Sequence, residues 1–149
     1  MGLQLSTRGR YGVRALTQLV KNYGGQPLSI QTLSEEEKIP LRYLEQIMGR
    51  LRRDGIVESI RGPKGGYWLE IAPEKISLGK VLEILEGNIT LVWCVDETED
   101  CPNRASCPTA AFWCTVNDGI RQFLDETTLD QLNSEDWGNR KLSFKLEKK

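Results

Sequence analysis

The sequence of 149 residues predicts a mainly α fold with a small β-hairpin wing: a winged helix-turn-helix unit followed by a long dimerisation helix. Three observations carry that prediction. Apolar residues recur at helical spacing in four segments before residue 87, and the third segment is strongly basic. Two short strand-like runs flank a glycine-rich, cationic tip at residues 61–66. Beyond residue 108 a wide apolar stripe returns, more than so small a domain can bury by itself.

The first helix is expected from Thr7 to Tyr23, with Ser6 as N-cap and Tyr11, Val13, Ala15, Leu16, Leu19 and Val20 as its apolar face. Gly24-Gly25 and Pro27 end it. Ser29 caps a second helix, Ile30 to Lys38. Ile39-Pro40 makes a tight turn, and Pro40 opens a third helix that runs to Asp54-Gly55. Leu41, Leu44, Ile47, Met48 and Leu51 form its inner stripe, leaving Arg42, Glu45, Gln46, Gly49, Arg50, Arg52 and Arg53 outward or flanking. Strands at Ile56–Ile60 and Tyr67–Ile71 enclose Arg61-Gly62-Pro63-Lys64-Gly65-Gly66. Two helices joined by a tight turn, the second basic, followed at once by a cationic hairpin, make a winged helix-turn-helix.

A fourth helix, Leu78 to Glu86, is capped by Ser77 and ended by Gly87. Pro108 then opens the long helix, with Phe112, Trp113, Val116, Ile120, Phe123 and Leu124 at helical spacing. That stripe is expected to pack on a second copy of the chain. A short capped segment, Thr128 to Leu132, follows. The resulting division is a winged helix-turn-helix domain over 1–87, a cysteine-containing loop over 88–107, the dimerisation helix and its following segment over 108–132, and a flexible tail over 133–149.

Composition narrows the function. Hydrophobic residues at 39% and charged residues at 28% describe a globular chain. No membrane span or secretory signal is apparent, so the cytoplasm is the expected compartment. The net charge of −1 hides an asymmetry: 11 Lys+Arg face 6 Asp+Glu up to residue 68, but 9 face 15 afterwards. A basic front half suits a polyanion. The chain has no histidine, no phosphate-binding loop and no nucleophile–base arrangement, so enzyme chemistry is not expected.

If the front half binds double-stranded DNA, each basic or polar residue has a natural part. Arg42 and Gln46 near the start of the third helix are types that bond base edges in the major groove, and Glu45 can accept from a cytosine amino group. Arg61 and Lys64 on the wing suit phosphate and minor groove. Arg8, Arg10 and Arg14 on the first helix suit backbone contacts, with Tyr43 and Arg50 completing the basic helix's candidate surface.

All four cysteines fall within 21 residues, as Cys94-x6-Cys101-x5-Cys107-x6-Cys114. In a reducing compartment such clustering means metal or redox chemistry more often than disulfides. Structural zinc usually takes paired C-x2–4-C knuckles, which are missing; wider gaps suit an iron–sulfur cluster with separated irons. On these residues alone both groups stay open. Cys94, Cys101 and Cys107 are the candidate ligands, and Cys114 is a possible fourth.

Three stretches share a further likeness: Thr7-Arg8-Gly9-Arg10-Tyr11, Pro40-Leu41-Arg42-Tyr43-Leu44-Glu45-Gln46-Ile47 and Arg61-Gly62-Pro63-Lys64-Gly65-Gly66-Tyr67. They resemble the bacterial Rrf-type family of winged-helix transcriptional regulators, and within it the IscR branch of iron–sulfur regulators. The nitric oxide sensors and cysteine regulators belong to the same family. The resemblance spans about Leu5 to Leu132. It implies a homodimer reading a DNA operator of two-fold-related half-sites, with Arg42, Glu45, Gln46 and Arg61 on base and groove positions. It also implies an iron–sulfur cluster, 2Fe-2S ahead of 4Fe-4S, and IscR-like control of cluster biogenesis genes. Nitric oxide or iron sensing through a 4Fe-4S cluster, or a structural zinc site, are the alternatives. Two departures stand out. The histidine that completes the IscR ligand set is replaced by Ala110, and the carboxylate that nitric oxide sensors use from the first helix is replaced by Arg10.

Overall fold

A computed structural model describes residues 4–96 and 99–141. It contains α1 (Thr7–Lys21), α2 (Ile30–Glu37), α3 (Leu41–Arg53), β1 (Val57–Ile60), β2 (Gly66–Leu69), α4 (Leu78–Glu86) and α5 (Ala110–Glu126). Serine caps begin three of the helices. Ser6, Ser29 and Ser77 accept from the amides of Gly9, Thr32 and Lys80 at 3.3, 3.0 and 3.1 Å, satisfying N–H groups that have no partner inside the helix. Pro40 starts α3 without a side-chain cap. Lys38 ends α2 in the left-handed region at φ 52°, and the Ser34 hydroxyl holds the turn by donating to the Ile39 carbonyl at 2.6 Å.

One core unites α1 to α4. Leu16, Leu33, Leu44, Ile47, Met48, Leu51, Val57, Val81 and Leu85 are fully enclosed in it. The inner stripe of α3 expected from its three- and four-residue spacing is this buried set, apart from Leu41, which lies at the surface. Burying α3 in this way leaves its basic side chains no direction but outward.

β1 and β2 form an antiparallel pair, Val57 opposite Leu69 and Ile60 opposite Gly66. The segment before α2 adds one rung the sequence did not advertise: Leu28 and Tyr67 exchange both backbone hydrogen bonds, at 2.9 and 2.8 Å. Gly66 lets the two backbones meet. A Cβ there would lie 2.3 Å from the Leu28 carbonyl oxygen and 2.8 Å from the Ser29 nitrogen. Gly66→Ala is therefore expected to cost about 3 kcal/mol, because neither backbone can yield without opening the rung. Chemical denaturation measures it, and an unchanged midpoint would contradict this packing.

α5 lies across α4, and the chain then returns to the core. Leu78 donates to the Thr127 carbonyl at 2.7 Å and Leu129 to the Ile76 carbonyl at 2.9 Å, which brings Leu129 to full burial. α5 begins at Ala110 and not at Pro108, since Thr109 keeps non-helical dihedrals while engaging Cys107. The 133–149 stretch, expected as a tail, begins at the end of one short turn, Asp130–Asn133, and continues into a second, Glu135–Gly138. In the second, Trp137 donates to the Gln131 carbonyl at 2.6 Å and packs edge-on against Phe123 at 6.3 Å. Leu142, Phe144 and Leu146 lie outside the described residues.

Candidate nucleic-acid interface and thiol loop

α3 presents Arg42, Glu45 and Gln46 at positions i, i+3 and i+4, so all three share one exposed face at the start of the helix. Tyr43 turns the other way. Its ring is half-buried and meets Tyr11 edge-on at 5.9 Å, so it braces α3 against α1. Arg50 is half-exposed. Arg52, not singled out beforehand, donates to the Ser59 hydroxyl at 3.0 Å and ties α3 to the wing. Arg61 and Lys64 stand fully out on the wing, where Gly62 at φ 119° permits the tight tip.

The α1 arginines divide their labour. Arg10 is exposed. Arg8 spends its Nε on the Leu85 carbonyl at 2.6 Å, satisfying the C-terminal end of α4. Arg14 pairs with Glu37 at 3.0 Å. Glu86 was invisible to sequence reasoning. Its Oε1 accepts from the Ser6 amide, the Ser6 hydroxyl and the Gly9 amide at 3.1, 2.6 and 2.9 Å. A carboxylate at a helix N-terminus is favoured by the unpaired amides and the helix dipole. The end of α4, which leads into the cysteine loop, is thereby fastened to the start of α1. Only an 80-residue sequence separation hid it.

In the loop, Cys94 lies in a single helical turn, Trp93–Val95, that packs on α5. The Leu91 amide donates to the buried Asn117 Oδ1 of α5 at 3.1 Å, fixing the loop's entry. Cys101 precedes a turn closed by the Arg104 amide, and Cys107 immediately precedes α5. These three thiols are free and half-buried; Cys114 is free and exposed on α5.

Cys107 is set apart by its surroundings. Its thiol is held below the ordinary thiol range, first by the Thr109 hydroxyl 3.5 Å away, then by the Thr109 and Ala110 amides, with burial opposing. Each of those donors stabilises the thiolate. Alkylation of Cys107 in metal-free protein should consequently persist to lower pH than for a free thiol. Thr109→Val should move the midpoint of its pH–rate profile upward, by removing the largest of those donors. A midpoint indifferent to that change would mean the hydroxyl does not act on the sulfur.

Three thiols on one loop are a soft donor set, suited to a thiophilic metal group. Among the described residues, however, no three Cys, Asp or Glu side chains are gathered as they would be around one ion. The donor chemistry fits zinc and an iron–sulfur cluster alike. Neither Ala110 nor Arg10 offers a fourth ligand.

The family model described as an iron-dependent transcriptional regulator, Rrf2, matches residues 5–135. The chain belongs to the Rrf2 family. This Rrf2 protein is 35% identical to the regulator IscR of Pectobacterium carotovorum over 87% of its own length and 79% of that protein's. The solved structure of T. potens IscR superposes with a TM-score of 0.71 at 32% identity, covering 97% and 96% of the two chains. CymR, the global cysteine regulator of B. subtilis, gives 0.73 at 37% identity over 87% and 95%. The Rrf2 protein is accordingly a DNA-binding transcriptional regulator and not an enzyme, built on the winged-helix fold of these structures. IscR and CymR are about equally similar to it, so overall likeness does not choose the signal. No helix among the described residues is long and apolar enough to cross a membrane.

Proposed function

We propose that this regulator reads iron–sulfur cluster status through Cys94, Cys101 and Cys107 and alters its choice of DNA operator accordingly. The observation that carries the reading is the placement of three free thiols on one loop, attached at its entry to Asn117 of α5 and preceded by the Glu86 link to α1. A cluster bound there would supply redox-sensitive and labile chemistry. The chain's own residues do the rest: Asn117 anchors the loop, Glu86 transmits its position to α1, and α3 carries Arg42, Glu45 and Gln46 to the bases.

The protein acts as a homodimer in this proposal. Of the 17 residues of α5 only Asn117 and Gly119 are buried, while Phe112 is 59% exposed and Trp113, Val116, Ile120 and Phe123 are only half-covered. A second copy packed along that stripe would bury it and set the separation of the two α3 helices, and so the half-site spacing. Arg61 and Lys64 would then grip the flanking backbone and groove. The cluster is 2Fe-2S in preference to 4Fe-4S, and the regulated genes are those of cluster supply.

A second reading, thiol sensing without a cluster in the manner of a cysteine regulator, is favoured by the lowered Cys107 thiol. Anaerobic purification with iron and sulfide quantified, followed by operator selection on cluster-loaded and metal-free protein, separates the two. Absence of iron and sulfide would leave the thiol reading. Identical operator preferences in the two forms would end the switching proposal.

A further inference from the structure

Arg104 lies between Cys101 and Cys107, and its side chain reaches back across the loop. Its Nη2 donates to the carbonyls of Cys94 and Asp96 at 2.7 Å each, with the Glu99 carbonyl at 3.5 Å. Its own amide closes the turn on the Cys101 carbonyl at 3.1 Å. One residue thus touches two of the thiol-bearing segments directly and stands three positions from the third.

The charge pattern makes the contact selective. Between Lys80 and Arg121 the sequence contains no Lys or Arg other than Arg104. The same loop carries Asp96, Glu97, Glu99 and Asp100 beside the three thiols. Arg104 is therefore the one cation this stretch of sequence offers to the carbonyl groups of the loop. The carbonyls of Cys94 and Asp96 lie at the C-terminal end of the Trp93–Val95 turn, where unpaired acceptors and the local dipole favour a cation. A single nitrogen, Nη2, makes all three of these contacts, so one cationic group serves several carbonyls at once.

Resting on the cluster reading above, we infer that Arg104 is the positioning residue of the thiol loop: it pins the Cys94 turn to the Cys101–Cys107 segment. It does not ligate the group itself. Arg104 is an exposed residue, which limits the effect to a moderate one.

The test uses the full chain in three forms: wild type, Arg104→Gln, which removes the charge, and Arg104→Lys, which keeps a cation without the guanidinium. In metal-free protein, alkylation of each cysteine is followed by mass spectrometry under non-denaturing conditions. Compared on the high-pH plateau of each form's rate, where loss of the charge no longer changes the thiolate fraction, Cys94 should react about tenfold faster in the glutamine form, equivalent to about 1.4 kcal/mol of lost loop closure. The lysine form should recover part of the protection, and Cys114, outside the loop, should be unchanged in all three. After anaerobic reconstitution with iron and sulfide, the visible absorbance should decay faster in air in the order wild type, lysine, glutamine. Equal Cys94 reactivity in wild-type and glutamine forms would overturn the pin, and a lysine form no better than glutamine would overturn the part assigned to a cation at those carbonyls. Failure of the wild type to take up iron and sulfide would overturn the cluster reading instead, while the metal-free alkylation rates would still decide the role of Arg104.

Discussion

Cys101→Ser is expected to abolish retention of iron and sulfide while leaving the winged-helix domain folded. Loss of even an outer-shell partner weakens a metal site by about 10–100-fold, so loss of a thiolate from a set of three should exceed that. Cys101 lies outside the buried apolar core and takes no part in its packing, so the thermal midpoint of metal-free protein should be unchanged. Cys114→Ser is the matched control. Cys114 is exposed on α5, beyond the loop, and its loss should leave iron content intact. Full iron retention in Cys101→Ser would remove that residue from the ligand set. Loss of iron in Cys114→Ser would promote Cys114 to the fourth ligand and require the start of α5, through Cys114, to open.

The second large effect is structural and acts on DNA reading through the core. Leu44 is fully enclosed and lies on α3 between Arg42 and Gln46. Leu44→Ala should cost about 3 kcal/mol, the transfer term plus the cavity left in a core that cannot collapse around it. For a chain of this length that is about 10 °C in thermal midpoint. It is a large share of the roughly 5–15 kcal/mol that a domain possesses. Operator affinity should fall further than that of Arg42→Ala at temperatures near the new midpoint, and recover on cooling. Arg42→Ala should weaken specific binding alike at every temperature, since it removes a base contact and no packing. A Leu44→Ala protein as stable as wild type would mean that α3 is held by something other than this core.

Much of the fold was legible because it is local. The serine caps, the breaks at Gly24-Gly25 and Gly87, the stripe Leu44, Ile47, Met48, Leu51 and the cationic tip at 61–66 each act within a few residues. Their physical consequences can be read from spacing alone. The exposure of Arg42, Glu45 and Gln46 followed from the same periodicity. Tyr43 did not. Which side of a helix a half-polar ring chooses depends on what faces it, and Tyr11 of α1 faces it here. The Leu28–Tyr67 rung and the return of Leu129 to the core were hidden for a similar reason. Backbone pairing between distant segments leaves no periodic trace.

A basic helix, a cationic wing and a loop of clustered thiols can each be read from residue type and spacing. The folded path sets how those parts are joined. It placed Glu86 on the amides of α1, Asn117 on the entry of the loop and Arg104 across the loop's interior. Each of these is a polar contact whose partner is set by the folded path and not by any repeat in the chain. Hydrogen bonds are short-ranged and directional, so they come into being only once packing has brought their groups together.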